Sequence, residues 1–196
     1  MMNSLAGSGG LPPHARDDIL KRISTVVAPT VGGKGILFAR YAPASAAVVN
    51  RCFSNARQAA ADHGGEALYG WSVRYVDSPC EFLVAFNHAV WRSPDGSVID
   101  VTPFDRRHRP ICVDGGVVFL SDPRATPLSG TGTGRCLPSW FFPVFNNPAS
   151  VALTADRTRQ ELDAFEGYVA SSPKLQDSAR GTELLARRRD RFLDAA

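Results

Sequence analysis

Cys52, His88 and Asp100 follow the chain order of a cysteine nucleophile, its imidazole base and the carboxylate that orients the base. In such a trio the imidazole takes the thiol proton and the thiolate attacks an amide or ester carbonyl. The carboxylate fixes the imidazole tautomer. Each residue lies in a segment suited to its part. Cys52 opens an alanine-rich stretch that runs to Gly64-Gly65. His88 and Asp100 lie on two strand-like runs joined by Ser93-Pro94-Asp95-Gly96.

Those two runs predict a hairpin of defined register. Ser-Pro-Asp-Gly favours a type I turn closed by a left-handed glycine, a three-residue loop with a bulge. Ser93 then pairs with Ser97, and even-numbered residues share one face. The odd face carries Ala89, Trp91, Ile99 and Val101. The even face carries His88, Val90, Arg92, Val98, Asp100 and Thr102. Alternation therefore directs the odd face to the core and the even face to a cleft or solvent. Asp100 falls opposite Val90 and diagonal to His88, roughly 7–8 Å away at the backbone, a gap that side chains bridge. On this reading Asp100 serves His88 and is dispensable for folding, whereas Trp91 and Ile99 are needed for it.

The cysteine segment reads as a helix from Ala46 to His63, with Asn50 as N-cap of its Arg51–His63 part and the double glycine as its stop. Cys52 then occupies the first turn, where free N–H groups, the helix dipole and nearby Arg51 favour a thiolate. Its backbone N–H, with an amide from Asn50, Asn55 or Asn87, is the candidate oxyanion donor set. Trp71, Trp91 and Trp140 are candidate substrate-groove residues.

A cysteine at a helix start, then His88-Ala89-Val90-Trp91, a turn, and Val98-Ile99-Asp100-Val101-Thr102-Pro103, resembles the core of the papain-like superfamily. It is most similar to the transglutaminase-like branch, whose histidine strand reads His-Ala-Trp and whose next strand ends in Asp-Pro or Asp-x-Thr. The resemblance covers about residues 48–104. It implies a Cys-His-Asp triad of Cys52, His88 and Asp100 in a cysteine hydrolase or acyltransferase that works without a cofactor.

The remaining histidines and cysteines carry weaker signals. His63 falls at a helix end, His14 in a leader, and His108 in the basic run Arg106-Arg107-His108-Arg109, which reads as a solvated loop. Cys80, Cys112 and Cys136 have no metal-ligand spacing, so no metal is expected, and four scattered cysteines suit a reducing, cytoplasmic setting. Delivery elsewhere by a secretion apparatus is compatible with the same composition. With 196 residues, 44% of them hydrophobic, the chain can bury one sizeable core. A net charge of +3 is too mild to point to nucleic acid, and no apolar run reaches the length of a membrane span.

The elements that must position the trio follow from periodicity. Asp17 to Val27 reads as a short helix, and Gly32-Gly33-Lys34-Gly35 as a turn that lacks full phosphate-loop spacing. Leu68–Val76, Phe82–Trp91, Ser97–Thr102 and Gly116–Leu120 read as strands. Pro123–Pro138 reads as a long loop, and the aromatic cluster Ser139–Phe145 as packing under the sheet more than as a groove. Helical spacing from Thr154 includes Leu162, Phe165 and Val169 and breaks at Pro173. A last helix carries Arg187-Arg188-Arg189 and Arg191.

These readings make an α+β chain with a papain- or transglutaminase-like core, its cysteine helix packed on an antiparallel sheet. Residues 1–15 form a flexible leader, 16–150 the catalytic domain, and 151–196 a helical extension packed on or beside it. The expected function is thiol-dependent chemistry on an amide or ester carbonyl of a protein or peptide, through a thioester: deamidation, peptide or other amide hydrolysis, or acyl transfer. The alternative is a non-catalytic binding module of the same fold that uses the aromatic cluster and the arginine-rich tail.

Overall fold

The computed structural model describes residues 11, 15–77, 81–105, 110–127, 137–145 and 147–171. The leader apart from Leu11 and Ala15, Cys80, Cys136, His14, the basic run with His108, the middle of the long loop, Pro173 and the arginine-rich tail lie outside the described residues. Ala15 is buried in the core and Leu11 packs against it.

The chain enters through α1 (Arg16–Arg22), whose Ile19 begins a buried stripe continued by Ile23 and Val27. Pro29 lacks an N–H, and its ring crowds the carbonyl four residues back, so the preceding turn cannot keep regular α geometry. Ile23–Val27 widens into a π turn, with the Ala28 N–H bonded to the Ile23 carbonyl, before α2 (Ala28–Val31) completes the run. Gly32 closes α2 with φ 83°, and Gly33 packs so closely that a Cβ there would lie 2.9 Å from that of Leu120. The glycine-rich segment is a tight turn into the sheet, as its composition implies.

The sheet contains β1 (Ile36–Tyr41), β2 (Glu66–Val76), β3 (Phe82–Arg92), β4 (Val98–Asp100), β5 (Cys112–Val113), β6 (Gly116–Ser121) and β7 (Trp140–Pro143). Its order is β1-β4-β3-β2-β6-β5, and β1 also pairs with β6, which closes β1, β4, β3, β2 and β6 into a barrel. The β1–β4 pairing is parallel, so the sheet is mixed and not purely antiparallel as the sequence reading expects.

The hairpin register is as its turn residues dictate. Trp91 pairs with Ile99 and Arg92 with Val98, the Ser93 N–H donates to the Ser97 carbonyl, and Gly96 has φ 87°. The assignment of its faces is corrected. The odd face lies under α3 (Cys52–His63), where Ala89, Ile99 and Val101 pack against Phe53, Ala56 and Ala59. The even face meets solvent only near the turn, where Arg92 pairs with Glu66, and elsewhere it does not. It points into the closed barrel beside Val90, Val117 and Phe119, and His88, Asp100 and Thr102 are all buried. Barrel closure covers the even face and α3 the odd one, which alternation within one strand does not reveal.

The helix α3 starts at Cys52, not at Ala46. Its N-cap is Arg51 and not Asn50, which is exposed with φ 61° and makes no cap. The helix ends at Gly64 as the double glycine requires. Farther along the same outer face of the sheet, Trp71, Val73, Leu83, Trp140 and Phe142 join the α1–α2 stripe and Phe165 and Val169 of α4 (Pro148–Ala170) in the largest core. The Asn147 side chain caps α4 by accepting from the Ser150 N–H at 2.8 Å. No helix among the described residues is long and apolar enough to cross a membrane.

Candidate active site

The strand β3 is paired along its whole length with β2 on one edge. Its other edge pairs with β7 over Phe82–Ala85 and with β4 only at Trp91 and Arg92. Residues 86–90 therefore have no strand partner on that edge among the described residues, and His88 lies at the middle of the opening. The first turn of α3 brings Cys52 to the same place, close enough for its sulfur to help raise the His88 imidazole by charge and hydrogen bonding.

Asp100 holds the other side of the ring. His88 Nε2 lies 2.7 Å from Asp100 Oδ2, the diagonal contact that the register requires. With Nε2 engaged, Nδ1 is left for the Cys52 sulfur. The second Asp100 oxygen, Oδ1, accepts from the Thr102 N–H at 3.0 Å. Asp100 is 0% exposed and His88 3%, so both are removed from water.

Three aromatic rings line the imidazole. The centroids of Phe86, Phe104 and Phe119 lie 5.8, 6.1 and 6.5 Å from it. Gly70, directly opposite His88 on β2, makes room for this shell, because a Cβ there would sit 2.7 Å from Phe119 Cζ. Burial by itself pushes the imidazolium down. The Asp100 carboxylate and the Cys52 sulfur outweigh it by charge and hydrogen bonding, and they raise His88 to about 10. The arrangement favours an imidazolium held between an anionic oxygen and the sulfur.

No family model matches the chain, and neither curated proteins nor solved structures match it. The case for chemistry therefore rests on the residues themselves.

The other sequence-derived candidates separate. Asn87 donates both amide hydrogens, to the Gly70 and Ala125 carbonyls, and accepts from the Leu137 N–H, so it braces the core and has no hydrogen left for an oxyanion. Asn55 likewise gives both of its hydrogens, to the Val48 carbonyl and Thr102 Oγ1. Asn50 stands outside the helix on the exposed segment before it. The backbone N–H groups at the start of α3, which lack acceptors within the helix, keep their suitability.

Trp71 and Trp140 are core residues and not groove residues: both are buried in the cluster under α1 and α4. Trp91 lines a hollow of about 230 Å³ between α3, β4 and residues 42–47. Asn55, Gln58, Ala59, Asp62, His63, Ile99 and Val101 share its walls, but Cys52 does not. Trp91 is fixed there by its Nε1–H, which donates to the Gly64 carbonyl at 2.9 Å. His63 is exposed against that indole, 5.8 Å between centroids, and Cys112 is half-buried with Sγ 3.7 Å from the Pro110 carbonyl. No group of His, Cys, Asp and Glu able to hold a metal occurs among the described residues.

The sequence reading missed the aromatic shell and the part played by Thr102. Phe86 was within reach, since it precedes His88 by two residues on the same strand face. Phe104 and Phe119 carry no local signal, because the barrel closure brings them in.

Proposed function

We propose that the protein is a thiol-dependent enzyme acting on an amide or ester carbonyl, with Cys52 as nucleophile, His88 as acid and base, and Asp100 as the residue that orients the imidazole. The observation that carries this reading is one buried imidazole bonded to Asp100 at 2.7 Å and placed at the start of α3, where the Cys52 sulfur joins Asp100 in raising it. A structural histidine in an apolar barrel needs partners, but it has no need of a cysteine at a helix start as one of them. The order and context of the three residues also fit the papain-like resemblance and its transglutaminase-like branch.

In the proposed reaction the Cys52 thiolate attacks the carbonyl carbon, a C–S bond forms, and the carbonyl electrons move to oxygen. N–H groups at the start of α3 receive that oxyanion. As the tetrahedral species collapses, the C–N or C–O bond breaks and the His88 imidazolium gives its proton to the departing amine or alkoxide. Neutral His88 then takes a proton from water or from an acceptor amine, which attacks the thioester. The C–S bond breaks and the thiolate–imidazolium pair is restored. Water makes the enzyme a hydrolase or deamidase, and an amine makes it an acyltransferase. A protein or peptide substrate suits either outcome.

The binding-module alternative loses part of its basis, since Trp140 and Phe142 are committed to the core and only Phe145 of the aromatic cluster is largely exposed.

The test is acylation by a simple activated ester such as p-nitrophenyl acetate, read by intact mass and peptide mapping. Wild type is expected to gain one acetyl group on Cys52, and Cys52→Ala and His88→Ala to gain none there. Acetylation of Cys52 at the same rate in His88→Ala would sink the proposal.

A further inference from the structure

Asn55 lies three residues beyond Cys52, about one turn along α3. Its buried amide spans two parts of the chain. Oδ1 accepts from the Val48 N–H at 3.1 Å, and Nδ2 donates to the Val48 carbonyl at 2.8 Å and to Thr102 Oγ1 at 3.2 Å. Because Val48 presents one donor and one acceptor, the orientation of the amide is fixed.

Val48 belongs to the segment that delivers the chain to Cys52, in which residues 43–46 and 48–51 are all exposed. Its backbone is otherwise tied by the Arg51 N–H, which donates to the Val48 carbonyl at 3.3 Å, and upstream the Ala44 N–H donates to the Val101 carbonyl at 3.0 Å. Thr102 donates its N–H to Asp100 Oδ1, and Asp100 Oδ2 meets His88. One side chain thus joins the segment before the nucleophile to the carboxylate behind the imidazole. Only a carboxamide can do this, since aspartate lacks the two donors and leucine lacks both donors and acceptor.

We propose that Asn55 is a positioning residue for the thiol chemistry proposed above, setting the Cys52 segment and the Asp100–His88 pair in one register through Val48 and Thr102. The inference rests on that reading of Cys52. It replaces the oxyanion role that the sequence alone suggests for Asn55, because both amide hydrogens are already placed.

The experiment measures the rate at which iodoacetamide alkylates Cys52 between pH 5 and 9, quantified on the Cys52 peptide by mass spectrometry. The proteins are wild type, Asn55→Ala, Asn55→Asp, Thr102→Val and Thr102→Ser, with ¹⁵N NMR of the His88 ring as a second readout. Wild type is expected to react on a plateau that extends below pH 7. Asn55→Ala, Asn55→Asp and Thr102→Val should lose about 10-fold or more at pH 6, the scale of a small misplacement of reacting groups, and shift the His88 ring titration. Thr102→Ser, which keeps the hydroxyl, should restore the wild-type profile. A residue that only supports the fold would lower the melting temperature and leave the pH profile in place. If Asn55 variants do not fold, Thr102→Val reads the same link with Asn55 intact. Unchanged profiles in Asn55→Ala and Thr102→Val beside a wild-type plateau overturn the positioning role and leave the thiol reading standing. A wild-type rate that rises like that of an ordinary thiol, with a pKa of about 8.5, overturns both.

Discussion

His88 and Asp100 occupy diagonal positions of one hairpin, 12 residues apart in sequence, with Nε2 and Oδ2 at 2.7 Å inside a closed barrel. In a water-excluded interior each is the other's condition for being there: a lone carboxylate or imidazolium would carry an uncompensated desolvation penalty. The pair therefore bears on stability as well as on chemistry.

The first prediction follows directly. Asp100→Ala leaves His88 and the Thr102 N–H without their buried partner, and removing one member of such a pair costs about 3–5 kcal/mol. This reverses the expectation, drawn from the alternating pattern alone, that Asp100 is dispensable for folding. Asp100→Asn keeps shape and hydrogen-bonding capacity, so its melting temperature should fall less while Cys52 acylation falls in both. Thermal melts run beside the acylation assay decide it, and an unshifted melt for Asp100→Ala would contradict the burial argument.

Stability should also depend on pH through His88. Its folded value, raised to about 10, stands above the unfolded value of about 6.5. A raised folded value means that the stabilisation is complete below the unfolded value and is lost as pH rises through the folded one. Urea midpoints of wild type should therefore decline between pH 7 and 10, and those of His88→Gln should decline less. Parallel curves for the two proteins would count against a charged His88.

Gly70 is expected to resist any side chain. An added Cβ would meet the Leu120 carbonyl oxygen at 2.1 Å and Phe119 Cζ at 2.7 Å. The backbone contact cannot be relieved by a rotamer change. Gly70→Ala should lose about 1–3 kcal/mol or more in a denaturant titration, with Cys52 acylation reduced because the shell around His88 must shift.

The two tryptophans on β2 and β3 should differ. Trp71 is buried in the main core, and its truncation to alanine should cost about 3–5 kcal/mol. Trp91 borders the hollow beside α3 and is only partly buried, so Trp91→Ala should cost less. Equal losses in chemical denaturation would show that the hollow is closed in solution.

What could be read in the sequence was local. Ser93-Pro94-Asp95-Gly96 fixes the hairpin register, and the register alone puts Asp100 within reach of His88. The stop at Gly64-Gly65 and the stripe of Ile19, Ile23 and Val27 are legible for the same reason, since the pattern and the contact lie within a few turns of chain. The parallel pairing of β1 with β4, the β1–β6 closure and the edge contact of β7 have no local signature. A polar even face reads as a cleft until a distant strand covers it. Asn50 satisfies the composition rule for a cap, but its left-handed backbone puts Arg51 in that place.

The seam between β1 and β6 sets an order on assembly. There Ile36 meets Leu120, so closing it spends the entropy of a long loop, whereas the hairpin needs only its own turn. The imidazole and its carboxylate are thus expected to meet in a fast, local event. The dry enclosure that gives their contact its strength is non-local and expected to form later. Refolding should pass through a stage in which the hairpin has formed while water still reaches His88, and the thiol acquires its charged partner's full influence only when the two ends of the sheet meet.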